Sequence, residues 1–124
     1  MPTREIPAAD WREFLDAFSR VHDGWLATLE VFGDLGAQVE AENLPLRGVT
    51  ADREREGTSV TLLLGEPEHR VTHRVTRASH VWLDQTEEGA DAALQVESEG
   101  GETALLRFRA AVLPETVDGI IPGR

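Results

Sequence analysis

The chain has 124 residues, 40% of them hydrophobic, which suffices for one modest core and leaves nothing for a second. Its formal charge of −11 works against general attachment to nucleic acid or anionic lipid, because such binding gains affinity by neutralising phosphates and releasing counterions. Without cysteine, lysine or tyrosine there are no disulfides, thiolate metal sites, thiol nucleophiles, Schiff bases or tyrosine acids.

The first residues, Met1-Pro2-Thr3-Arg4-Glu5, lack a hydrophobic signal segment, and the longest apolar stretch, Val60 to Leu64, falls far short of the ~20 residues a spanning helix needs. A cytoplasmic protein without membrane attachment is the expectation. Residues 7–22 predict the one long helix: Trp11, Phe14, Leu15, Phe18 and His22 recur at three and four positions, with Arg12, Glu13, Asp16 and Arg20 largely opposite. Pro7 suits its first turn, Asp10 and Glu13 place carboxylates at its positive end, and Gly24 can adopt the left-handed conformation that stops it.

Beyond Gly24 the period becomes two. Trp25 to Phe32 and Ala37 to Glu42 alternate around the turn Gly33-Asp34-Leu35-Gly36, which predicts a hairpin with a polar outer face. Further strands are predicted near Leu46–Ala51, Thr58–Leu64, His69–Thr76, Val81–Thr86, Leu94–Ser98 and Thr103–Arg109, joined by short polar loops rich in glycine and proline. Gly48 reads as a bulge and Gly100-Gly101 as a hairpin turn. The fold class is therefore α+β: one N-terminal helix packed on a strongly bent antiparallel sheet or partly closed β-barrel of about seven strands. Residues 1–113 form the single domain, and 114–124, with two prolines and two glycines, form an extended tail.

His69 and His73 have a spacing that would let them share a metal on a helix. Val71, Thr72, Val75 and Thr76 make the segment a strand, where residues four apart lie ~13 Å from each other, so one or both read as hydrogen-bonded histidines in or at the rim of the core. A metal-dependent hydrolase would need one of them to meet Glu30, Glu40 or Asp84 at a common point. Glu30, Glu40 and Glu42 point the same way on the first hairpin, which reads as a solvated face before it reads as paired catalytic carboxylates. Arg107 can reach Glu97 or a neighbour in an ordinary surface ion pair.

Arg70, Arg74 and Arg77 lie on one strand and the loop after it. An Arg-x3-Arg spacing also occurs in domains that clamp cyclic dinucleotides, but the partner motif fits neither Asp52 onward nor Asp91 onward. If Arg77-Ala78-Ser79 turns a hairpin, alternation pairs Arg74 with Trp82 and Thr72 with Asp84, and an arginine stacked on a tryptophan makes Arg70, Arg74, Arg77 and Trp82 the candidate binding patch.

The run Arg4-Glu5-Ile6-Pro7, then Trp11, Phe14, Phe18-Ser19-Arg20, His22 and Gly24-Trp25-Leu26, carries a resemblance. It continues through Leu35 to Glu40, Leu44 to Gly48, Thr72-His73, Leu83 to Ala90 and Leu105 to Arg109. The chain resembles a family of short bacterial proteins known only as a domain of unknown function. That resemblance implies a single-domain bacterial cytoplasmic protein and supplies no activity.

No catalytic set, metal site or cofactor is assigned from these residues. They favour a non-enzymatic cytoplasmic binding or regulatory module acting through a protein or small-ligand surface, with a homodimer among its forms. The alternatives are a small metal-dependent hydrolase using His69 or His73, and nucleotide or RNA binding on the arginine-tryptophan face, against which the net charge counts.

Overall fold

The structure, a computed structural model, describes residues 3–109. The tail expected over 114–124 lies outside the described residues. In chain order the elements are β1 (Thr3–Ile6), a 3-10 turn (Ala8–Asp10), α1 (Trp11–Val21), β2 (Leu26–Gly33), β3 (Gly36–Glu54), β4 (Gly57–Glu66), β5 (His69–Val75), β6 (Ala78–Gln85), β7 (Asp91–Ser98) and β8 (Thr103–Phe108). The strands form one antiparallel sheet in the order β1-β6-β7-β8-β2-β3-β4-β5. It has eight strands rather than about seven, and its end strands do not pair, so it is bent and open rather than a closed barrel.

The bend is in β3. At 19 residues it is about three times an ordinary strand, and it changes partners midway: Gly36 to Pro45 pair with β2, and Leu46 to Glu54 pair with β4. Asn43 sits at φ 52°, Pro45 follows, and a bulge falls between Leu46 and Gly48, so three consecutive irregularities turn the chain. These breaks make one strand read as two. The predicted bulge at Gly48 is present.

Folding the sheet at β3 lays the wide part (β1, β6, β7, β8, β2 and the start of β3) over the narrow part (the rest of β3, β4 and β5). Leu29, Val81, Leu94, Val96 and Leu106 from the wide part and Val49, Val60, Leu62, Leu64 and Val75 from the narrow part are all buried in one core. Helix α1 adds Trp11, Leu15 and Phe18, the face that the three-and-four spacing picks out. Gly24, at φ +88°, ends the helical segment as expected.

Where β2 stops, the second half of β3 has an edge without a strand. The Leu46 N–H donates to the Trp25 carbonyl at 2.8 Å, and the Leu46 carbonyl accepts from the Gly24 N–H at 2.7 Å. One turn further, Ser19 of α1 takes over: its Oγ accepts from the Val49 N–H at 2.7 Å and lies 3.0 Å from the Val49 carbonyl and 2.8 Å from the Leu15 carbonyl, to which its one proton can donate. The helix thus covers an edge as well as a face. At the other end of α1 the Trp11 indole donates to the Ile6 carbonyl at 2.8 Å and ties the helix to β1. Strand β1 escapes sequence reading because only Ile6 of its four residues is buried, which leaves no period to find.

Gly65, before the β4–β5 turn, has φ +107°, and a Cβ there would lie 2.0 Å from the His69 carbonyl oxygen, so no other residue fits without moving that backbone.

Phe18→Ala, which empties a buried aromatic position, is expected to lower stability by about 3 to 5 kcal/mol in urea denaturation, whereas Leu35→Ser at the exposed β2–β3 turn stays within about 0.5 kcal/mol. Ser19→Ala is expected to cost about 1 to 3 kcal/mol, because it leaves the Val49 backbone without its partner.

Candidate functional site

Alternation places a second, outward surface on the wide part of the sheet, and the strand registers order it into rows. One row runs Glu5, Trp82, Gln95, Leu105, Glu30, Val39 across β1, β6, β7, β8, β2 and β3. The row on one side is Thr3, Asp84, Ala93, Arg107, Thr28, and the row on the other is His80, Glu97, Thr103, Phe32, Ala37. Trp82, Asp84, Gln95, Glu97, Thr103 and Leu105 are half-buried and Ala93 is buried, although no element among the described residues covers them. Their neighbours shield them, leaving a groove of about 510 Å³ bordered by Phe32, Asp84, Ala93, Gln95, Leu105 and Arg107.

The polar side chains of this surface are fastened to one another. The Trp82 indole donates to Glu97 at 3.1 Å, the Gln95 amide donates to Asp84 Oδ2 at 3.1 Å, Arg107 pairs with Glu30, and His80 Nδ1 lies 2.6 Å from Glu5. The His80 and Trp82 rings stack with centroids 5.9 Å apart. The hydrogen bond to Glu5 raises the His80 pKa above its usual value, aided by the charges of Glu5 and Glu97 and opposed by some desolvation. One group is left over. Asp84 Oδ1 is buried without a hydrogen-bond partner among the described residues, an arrangement that costs free energy wherever it occurs.

The predicted patch of Arg70, Arg74, Arg77 and Trp82 is distributed differently. Strands β5 and β6 follow each other in sequence but do not pair, so the expected matches of Arg74 with Trp82 and Thr72 with Asp84 are absent. Thr76 and Arg77, the latter at φ 49°, carry the chain from the narrow part of the sheet to the wide part instead of reversing it. Arg74 lies opposite Thr61 and pairs with Glu54, Arg70 lies opposite Gly65, and Trp82 stands between Glu5 and Gln95.

His69 is exposed, and His73 sits half-buried against Glu102, so the second of the pair is the hydrogen-bonded rim histidine that the strand reading implies. Glu30 does not join Glu40 and Glu42. The ladder steps from Leu29 opposite Ala41 to Glu30 opposite Val39, which leaves Glu40 as the extra residue of a bulge. Arg107 takes Glu30 rather than Glu97 as its partner. Among the described residues no three His, Asp or Glu side chains gather as a metal site requires, and no helix is long and apolar enough to cross a membrane. A second hollow, also about 510 Å³, opens beside the start of α1 between Trp11, Arg12, Asp52, Arg53 and Thr58, where exposed charges of both signs face solvent.

One buried group was not singled out by sequence. His22, 2% exposed, packs among Phe18, Trp25 and Phe108 with ring centroids 4.2 to 4.8 Å away. Its Nδ1 lies 2.7 Å from the Phe18 carbonyl and its Nε2 lies 3.0 Å from Asp91. A carbonyl only accepts, so Nδ1 donates to Phe18, while Nε2 faces the Asp91 carboxylate. The hydrogen bond from His22 holds the Asp91 pKa below the carboxylate range against some desolvation, with Gln85 assisting. With both nitrogens engaged and its ring buried, His22 ties the end of α1 to β7 and is not placed to act as a base. A sequence signal for it is lacking because Asp91 lies 69 positions on, in a segment that reads as a loop.

The chain matches the family of unknown function DUF5335 over residues 2–116 and belongs to that family. No curated protein and no solved structure gave a match.

Asp91→Asn is expected to cost about 3 kcal/mol at pH 7, since it strands a buried imidazole. Because the folded-state pKa of Asp91 is lowered, its contribution is full above the unfolded carboxylate value of about 4 and disappears as pH falls through the folded value. Urea titrations from pH 7 to pH 2 should therefore show a shallower acid loss in the Asn variant. A proton-NMR titration should place the His80 midpoint above that of a free histidine, and Glu5→Gln should bring it back down.

Proposed function

We propose that this protein is a non-enzymatic binding module that receives a protein partner on the outward surface of the wide sheet. The observation that carries the reading is the groove itself: Leu105 and Ala93 form an apolar floor, fastened polar residues border it, and no part of the described chain covers it. Solvated outer faces of antiparallel sheets are usually polar throughout. Here the apolar surface continues from the groove to Phe32, 38% exposed, and on to Val39 and Leu35 at the adjoining hairpin, 55% and 86% exposed. A strip of that length suits a polypeptide better than a small metabolite.

Charge narrows the partner. A chain at −11 repels a second copy of itself and attracts a basic segment, which favours a heterologous partner with apolar and cationic side chains. Support against catalysis comes from the same geometry, in which the histidines His22, His73 and His80 are each fastened to a separate carboxylate and do not converge on a cavity. A cysteine-free, highly charged chain is suited to the cytoplasm.

The test uses the full chain and a blocked octapeptide alternating leucine and arginine, followed by amide NMR. Shifts concentrated on β7, β8 and β2, abolished by Leu105→Glu in a protein that keeps its dispersed spectrum, are the expected result. Binding that maps to β4 and β5, or equal binding of the glutamate-for-arginine peptide, would sink the reading.

A further inference from the structure

Resting on that reading, we infer that the groove holds a subsite for one cationic side chain, an arginine or lysine of the partner, with Asp84 as its counter-ion. Asp84 stands at one end of the apolar floor, two positions along β6 from Trp82, and its carboxylate meets no cation among the hydrogen bonds and ion pairs of the described residues. Of the other carboxylates of this surface, Glu30 holds Arg107 and Glu5 holds His80, while Glu97, like Asp84, has a neutral donor, the Trp82 indole, but has no oxygen buried without a partner.

What Asp84 does have is a single neutral donor. The Gln95 amide reaches Oδ2 at 3.1 Å, while Oδ1 is closed to water and unpartnered. An ionised donor makes a shorter and roughly twofold stronger bond to a carboxylate than an amide does. Since Gln95 itself borders the groove, a guanidinium or ammonium entering there meets the Gln95 amide first and displaces it from Asp84. The methylene stem of the same side chain then lies along Leu105 and Ala93, matching an amphipathic residue with an apolar shaft and a charged head.

The probe is N-acetyl-arginine amide, titrated into the full chain at low salt, with N-acetyl-norleucine amide as the neutral control. The expected result is a shift of the Gln95 side-chain amide together with the Ala93 and Leu105 backbone amides, saturating for the arginine compound and absent for norleucine. Asp84→Asn should weaken it about tenfold or more, whereas Glu40→Gln, which removes the same charge from the exposed bulge, should leave it within about twofold. Equal weakening by both variants would reduce the effect to net charge and overturn the subsite, as would an unmoved Gln95 amide. If the leucine-arginine octapeptide still binds Asp84→Asn with full affinity but not Leu105→Glu, the subsite falls and the docking surface stands; if neither probe binds, both fall.

Discussion

Strand β3 cannot keep one neighbour for its whole length, and the rest of the molecule is arranged around that constraint. A strand that leaves its partner halfway exposes backbone donors and acceptors in what would otherwise be core, and buried groups of that kind are nearly always paired. Trp25 and Gly24 continue the ladder for one residue, and Ser19 continues it for another with a side chain in place of a strand. The position of α1 follows from this. The helix sits where the edge needs covering, its aromatic face fills the space between the two parts of the sheet, and the His22–Asp91 pair fixes its far end to β7.

This arrangement gives the two surfaces of the wide sheet different tasks. The inward one is made mostly of aliphatic side chains, with Phe108 packed on the aromatic end of α1. The outward one is a lattice of cross-strand pairs whose members come from distant parts of the sequence, Glu5 with His80 and Glu30 with Arg107. Such a lattice holds side chains in defined positions without burying them, which is the condition for presenting a surface to another molecule at small entropic cost.

The parts legible in the sequence were those carried by short-range periodicity. The aromatic stripe of α1, its Gly24 stop, the Gly33 to Gly36 turn and the Gly48 bulge depend only on neighbours within a few positions. The parts that were not legible depend on which strand lies beside which. Alternation could place Trp82 and Arg74 on outward faces, but only the strand order decides that Trp82 meets Gln95 and Arg74 meets Thr61. Likewise His22 fits the apolar stripe of the helix in sequence, and its charge partner emerges only when β7 is laid beneath it. The groove was invisible for the same reason, since Phe32, Asp84, Ala93 and Leu105 come from four strands.

The pairing of early strands with late ones also governs how such a chain can come into being. Ile6 of β1 waits for Val81, and Leu29 of β2 waits for Leu106, while the hairpins between them can close at once. A polypeptide growing from its N-terminus therefore carries β1 and one side of β2 through most of synthesis with their final neighbours not yet made, whereas α1 meets β3 early. Contacts of such long sequence separation slow folding, because the loop must be closed before the contact rewards it. The charged residues on the exposed side of the waiting strand β1, Arg4 and Glu5, are then as much a protection for the unfinished chain as a surface for the finished one.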